Sequence, residues 1–230
     1  WKDTAILLRG DAVQSMTMLF LQMWNVTETR PENYKAYLTK MKPHIDKESG
    51  FVLPYGDSPY DHENVGEEVY FHILNHAKRY VHIMTPYLIL DNEMLDTLTH
   101  VAKTGIEVSI IMPHIPDKWY AFAVAQTYSE ELISAGVQIY EYTPGFVHAK
   151  VFVSDNDTAT VGTINLDYRS LYHHFECGTF IYNNPVVWEI ERDFQNTLKA
   201  CQKITMLDVK ARRIGMKMVG RVLRLIAPLM

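Results

Sequence analysis

A chain of 230 residues and 26.6 kDa, 47% hydrophobic and 21% charged, is long enough to bury a core without disulfide or metal staples. This composition excludes a disordered tail and a mini-protein. The net charge of −5 is unevenly divided: residues 203–230 carry seven basic groups against Asp208, leaving 15 basic against 26 acidic groups in the first 202 residues. An acidic body argues against a nucleic-acid partner, whereas a basic tail suits an anionic surface. Cys177 and Cys201 are too few for a secreted disulfide framework and lack zinc-site pairing, which predicts a reducing compartment. No apolar run reaches the roughly 18 residues of a membrane span. The opening at Trp1, with no signal peptide before it, predicts a piece of a longer polypeptide.

In chain order, Thr4 to Leu8 reads as a short strand. Asp11 then caps a helix whose apolar positions Val13, Met16, Phe20, Leu21 and Trp24 recur at helical spacing. From Asn25 to Asn64 the pattern breaks around Pro31, Pro43, Pro54 and Pro59, which predicts a long loop with at most one short helix near Tyr34 to Met41. The rhythm then becomes regular. A helix over Glu67 to Lys78, a strand over Tyr80 to Thr85, a helix over Glu93 to Thr104 behind Asp91 and a strand over Ile106 to Met112 follow one another. A helix over Tyr120 to Ala135, stopped by Gly136, and a strand over Val137 to Tyr142 continue the series. Three strand-like runs, Val147 to Ser154, Thr158 to Val161 and Phe175 to Tyr182, precede a helix over Pro185 to Cys201. Strands alternating with helices predict an α/β/α sandwich around a mixed, mainly parallel sheet.

The run from Phe146 to Asn165 carries the chemistry. His148 and Lys150 are two apart on a predicted strand, so both side chains emerge on one face. An imidazole and an ammonium there are costly unless something anionic lies in front of them, and a phosphoryl group fits. Gly162 lets backbone approach closely, and the Thr163 hydroxyl and Asn165 amide are candidate donors to phosphate oxygens. No cluster has metal-ligand spacing, and His173-His174 would point to opposite faces of a strand. His62, His72, His76, His82, His100 and His114 show no partner pattern.

The spacing H-x-K-x4-D-x6-G-T-x-N, closed by Asp155, Gly162, Thr163 and Asn165, resembles the HKD motif of the phospholipase D superfamily. Thr85 to Asp91, Ile106 to Pro113, Val137 to Phe146 and Asn165 to Leu171 are similar to the C-terminal half of bacterial cardiolipin synthases. Trp1 to Thr4 resembles the segment after the first such motif, while Leu88-Ile89-Leu90 departs from the family's aromatic residue and proline. This resemblance implies residues 1–24 as the end of a first phospholipase D-like half, 25–64 as linker and 65–205 as the second domain.

It further implies an enzyme that needs no cofactor or metal and uses two histidines, one attacking phosphorus and the other serving as general acid and base. The resemblance favours the acid–base role for His148 and leaves the nucleophile open between the two. Lys150 would hold phosphate oxygens, Asp155 would be a structural partner, and Glu176 resembles the acidic residue that orients a site histidine; its other reading is an exposed strand residue. Arg169 has two readings, a head-group contact or a brace for Asp167. Residues 206–230 form a basic amphipathic segment: Lys210, Arg213, Lys217, Arg221 and Arg224 share one face of a helix drawn over Val209 to Met230, which suits an anionic membrane surface or a docking helix. The implied reaction is phosphatidyl transfer between two phosphatidylglycerol molecules, giving cardiolipin and glycerol at the cytoplasmic face of the cell membrane, with the first HKD half of the same polypeptide as partner. The rival readings are a phospholipase D or other phosphatidyltransferase, a homodimeric single-motif phosphodiesterase or nuclease, and an inactive lipid-docking domain.

Overall fold

The computed structural model describes the chain except residues 32, 39–49, 61, 213 and 230. Two sequence periods explain its layers. In β2 (Tyr80–Met84) and β3 (Glu107–Pro113), Val81, Ile83, Val108 and Ile110 join one apolar cluster while Met84 and Ile111 join a second on the opposite face. Strands buried on both faces read as continuous apolar runs, so such a sheet needs helices on either side. The first face is covered by α2 (Val65–His76), α3 (Asn92–Lys103) and α4 (Trp119–Ala135), the second by α5 (Val186–Leu198). Capping behaves as the sequence implies at two ends: Asp91 accepts from the Met94 N–H at 2.7 Å, and Gly136 closes α4 with φ 106°.

One eight-stranded mixed sheet results, in the order β1-β7-β6-β5-β2-β3-β4-β8. The remaining strands are β1 (Phe51–Asp57), β4 (Gln138–Tyr142), β5 (Val151–Ser154), β6 (Thr158–Gly162), β7 (Glu176–Tyr182) and β8 (Cys201–Ile204). The sandwich is as predicted, but the balance of strand directions is not. Only β2–β3 and β3–β4 pair in parallel; the other five pairings are antiparallel. Parallel pairing is confined to β2, β3 and β4, joined by α3 and α4; β5, β6 and β7 follow one another as antiparallel neighbours, and α5 then carries the chain across to β8 beside β4.

Four stretches differ from the sequence reading. The predicted loop contains edge strand β1, whose Pro54 is tolerated because only one side of the strand must pair. Part of the predicted short helix lies outside the described residues, and Tyr34–Ala36 forms one 3₁₀ turn. Thr4 to Leu8 forms no strand; α1 (Ala12–Asn25) follows without a capping bond from Asp11, and the only pairing nearby is a parallel bridge between Lys2 and Val147. The C-terminal segment is two helices, α6 (Met206–Ala211) and α7 (Ile214–Arg224), rather than one. None of the helices among the described residues is long and apolar enough to cross a membrane.

Candidate active site

β5 and the extended residues before it place the histidine–lysine pair at one end of the sheet and the motif aspartate at the other. His148 and Lys150 precede β5, where Trp1–Asp3 runs beside them: the Lys2 N–H donates to the Phe146 carbonyl at 2.8 Å and the His148 N–H to the Lys2 carbonyl at 2.7 Å. The two functional tips meet. Lys150 Nζ lies 2.8 Å from His148 Nε2 and 2.9 Å from Nδ1, and donates to the His148 carbonyl at 2.5 Å. On its other side His148 Nδ1 stands 3.0 Å from Asp3 Oδ2, and the Trp1 ring lies 5.2 Å from the imidazole. A carboxylate accepting from Nδ1–H makes Nε2 the acceptor, and here its lone pair faces the Lys150 ammonium. The His148 side chain is 39% exposed and opens to solvent, whereas Lys150 beneath it is buried at 7%.

Electrostatics prepare this corner for an anion. Burial pushes the Lys150 ammonium down to about 8, against the pull of Asp3, Glu176 and Asp167. Burial also pushes Asp3 up, but its hydrogen bonds with His148 and the Thr4 N–H and the charges of His148 and Lys150 outweigh this and hold it below the usual carboxylate range. Burial raises Glu176 despite its bonds to Thr163 and Ser170, and it raises Asp167 despite the Ser170 N–H. A buried ammonium with no ion-paired carboxylate among the described residues gains most when a phosphodiester arrives.

The supporting residues are largely committed to each other. Thr163 donates to Glu176 Oε2 and accepts from the Cys177 N–H at 3.0 Å. Asn165 Nδ2 donates to Ser170 Oγ at 3.0 Å, while its buried Oδ1 has no protein partner. Gly162 serves strand packing: an added Cβ would lie 2.4 Å from the Cys177 carbonyl oxygen, so it admits β7. Glu176 pairs with Thr163 and lies 3.7 Å from His174 Nδ1; its carboxylate makes no hydrogen bond to His148, whose carboxylate partner here is Asp3. Arg169 Nε donates to His174 Nε2 at 2.6 Å, and the Ser170 N–H rather than Arg169 braces Asp167, at 2.7 Å.

Asp155 does something different from His148 and Lys150. Five residues along the strand from Lys150, about 16 Å at ordinary strand rise, it occupies the β5–β6 turn with φ 56°, followed by Asn156 at 64°. Two successive left-handed residues closed by Asp157 N–H to Ser154 O at 3.1 Å form a type I′ corner, which Asp and Asn tolerate. Its carboxylate accepts from the Lys78, Arg79 and Tyr80 N–H groups at 2.6, 2.9 and 3.1 Å. It therefore ties the end of α2 to β2. A groove of about 570 Å³ beside it, lined by Phe51, His72, Ile73, Phe180 and Tyr182, lies at this end of the sheet. His82, another histidine without a sequence pattern, is buried between the Tyr80 and Phe194 rings and bonded to Glu191 at 2.9 Å.

Asp3 is the site residue that the sequence reading missed. It stands 145 positions from His148, and only the resemblance of Trp1–Thr4 to a post-motif segment pointed to that stretch.

Comparison with known proteins agrees with this architecture. Residues 70–198 match the family described as "Cardiolipin synthase, PLD-like domain". An uncharacterized protein of Streptococcus mutans is 53% identical over all 230 residues, which cover 50% of its length, and "Cardiolipin synthase 2" of Bacillus cereus is 35% identical over the same span, 45% of its length. The chain thus spans about half the length of the curated relatives it matches. Among solved structures, the phospholipase D family member Nuc of Salmonella typhimurium aligns with TM-score 0.58 and 17% identity, covering 68% of this chain and 99% of that one. Phosphatidylserine synthase of Haemophilus influenzae aligns with TM-score 0.61 and 16% identity, covering 78% and 47%. These distant likenesses establish a shared fold.

Proposed function

We propose that this chain, which belongs to the cardiolipin synthase, PLD-like domain family, is the half of a phosphatidyltransferase that contributes the second H-x-K-x4-D site. The observation that carries this reading is the convergence of the His148 imidazole, the Lys150 ammonium and the Asp3 carboxylate in one corner that opens to solvent through His148 and Asp3. In the proposed reaction a histidine attacks the phosphorus of phosphatidylglycerol and the P–O bond to glycerol breaks. The other histidine protonates the leaving oxygen, then takes the proton of the incoming hydroxyl of a second phosphatidylglycerol as the P–N bond breaks. Cardiolipin and glycerol result, and both histidines return to their starting state. His148 is one of this pair; the first HKD half of the same polypeptide supplies the other.

Lys150 holds the non-bridging oxygens, and Asp3 aligns His148. Gly162, Thr163, Asn165 and Glu176 form the wall behind the pair, with Asp155 as its remote brace. The substrate lies in an anionic membrane on the cytoplasmic face, and nucleic acid is not a partner. Supplying phosphatidylglycerol to the polypeptide that carries both halves tests the reading. Cardiolipin with equimolar glycerol is expected; phosphatidic acid instead would reassign the site to lipid hydrolysis, and cleavage of DNA by this chain as a dimer would reassign it to a nuclease.

A further inference from the structure

The two C-terminal helices are seated the opposite way round from what their basic stripe suggests. α7 packs on α4 through Gly220, where an added Cβ would lie 2.4 Å from the Ala123 carbonyl oxygen. Around that contact the inward arc holds cations. The Arg224 guanidinium sits 4.1 Å over the Tyr128 ring, and Lys217 Nζ donates to the Lys210 carbonyl at 3.3 Å. The arc turned outward is apolar: Ile214, Met218, Val222 and Leu225 are 77%, 63%, 64% and 82% exposed, Leu207 on α6 and Leu229 beyond α7 are exposed as well, and Arg221 lies at the edge. Helical spacing makes this one stripe.

A contiguous apolar stripe in water marks a surface that something covers. Charge identifies the occupant. Residues 203–230 carry a net +6 on a body of −11, and exposed Lys210 and Arg221 lie beside the stripe. An anionic bilayer takes up both features at once, hydrocarbon under the apolar stripe and head groups against the basic rim. Position points the same way. The His173 ring Nε2 donates to the Pro228 carbonyl at 3.2 Å, and His173 ends the single π-type turn Arg169–His173, which leads into Glu176 at the site.

We propose that the outward stripe of Leu207, Ile214, Met218, Val222, Leu225 and Leu229 is an interfacial docking surface for an anionic phospholipid bilayer. It sets the chain on the membrane with the Arg169–Glu176 side of the site turned toward the lipid head groups. The proposal rests on the lipid-substrate reading above and adds to it the surface and orientation.

Flotation of the 230-residue chain with phosphatidylcholine vesicles, with and without phosphatidylglycerol, tests it. Wild type is expected to float with the phosphatidylglycerol vesicles, less so as salt rises. Met218→Glu/Val222→Glu is expected to bind them roughly tenfold more weakly or worse, with an unchanged far-ultraviolet circular dichroism spectrum. Phe51→Glu, an equally apolar exposed position on edge strand β1, is expected to bind as wild type. His148→Ala is also expected to bind as wild type, so that lost turnover with retained flotation is separable from lost docking. Equal flotation of the double variant and wild type overturns the proposal. So does a wild-type dimer that the double variant converts to monomer without any change in flotation, because the stripe would then be an interface between copies.

Discussion

The two ends of β5 carry two kinds of residue from one short run of sequence. At one end the exposed His148 ring meets both Asp3 and the buried Lys150 ammonium, which has no ion-paired carboxylate among the described residues. At the other, the Asp155 carboxylate is satisfied by three backbone N–H groups. The difference teaches that spacing along a motif is not proximity in a site: the histidine and lysine meet before the strand begins, whereas the aspartate closes the hairpin at its far end.

The comparison breaks most visibly at the first end. In the polypeptide with both halves, His148→Ala is expected to lower phosphatidyl transfer by roughly 10²–10⁴ with no change in melting temperature; retained turnover would remove His148 from the mechanism. Lys150→Met sharpens the same point with opposite signs. Transfer should collapse, whereas stability at pH 7 should hold or rise, because the folded chain no longer buries an ammonium. Below about pH 8 the wild-type fold carries the full cost of that charge. From there to the unperturbed value of 10.5 the unfolded chain holds a proton that native Lys150 has shed, so wild-type stability rises with pH across this window. Urea unfolding of both proteins at pH 7 and 10 measures it, and a variant gap that does not narrow contradicts the buried-charge account.

At the other end, Asp155→Ala is expected to cost about 2–4 kcal/mol of folding stability, since three N–H groups lose their acceptor, while any transfer remaining in the folded fraction keeps its KM. A selective loss of kcat at full stability would put Asp155 in the chemistry. A smaller effect concerns the floor beneath the site's π-type turn. There Glu67 bonds the Tyr172 hydroxyl at 3.0 Å and Tyr172 reaches Asp91. Burial, then the neighbouring Asp91, push Glu67 up to about 8. The native state therefore keeps a proton that the unfolded chain sheds above about 4.5, and stability falls as pH rises from there to about 8. Glu67→Gln should raise stability at pH 8 by about 1–2 kcal/mol and change little at pH 4; an equal effect at both values would rule out the shared proton.

Much of the fold was legible because α2 to β4 announce themselves by period, by the Asp91 cap and by the Gly136 stop. β1 was not, because Pro54 and Gly56 read as breakers until an edge position makes them harmless. β8, four residues of which two are exposed polar, follows directly on the predicted helix that ends at Cys201 and has no apolar alternation to mark it. The direction of pairing was also hidden, since continuous apolar strands look alike in parallel and antiparallel sheets buried on both faces. At the site, His148 and Lys150 were readable from their alternation. Asp3 was not, since local pattern does not record a contact across 145 positions. Thr163 and Asn165 read as free donors because their partners, Glu176 and Ser170, lie on neighbouring segments.

The anchorage of Lys2 has a consequence for parts of the molecule far from the chemistry. Its ammonium grips Asp193 on α5 at 2.6 Å, and the Thr4 hydroxyl shares that carboxylate at 3.1 Å. Asp3 sits between these two grips, so a helix on the back of the sheet is tied to the carboxylate that meets the imidazole. Asp193→Asn, a surface change with little thermodynamic weight of its own, should loosen this tether and lower kcat a few-fold by letting the ring turn, an effect that an Asp3→Asn background would erase.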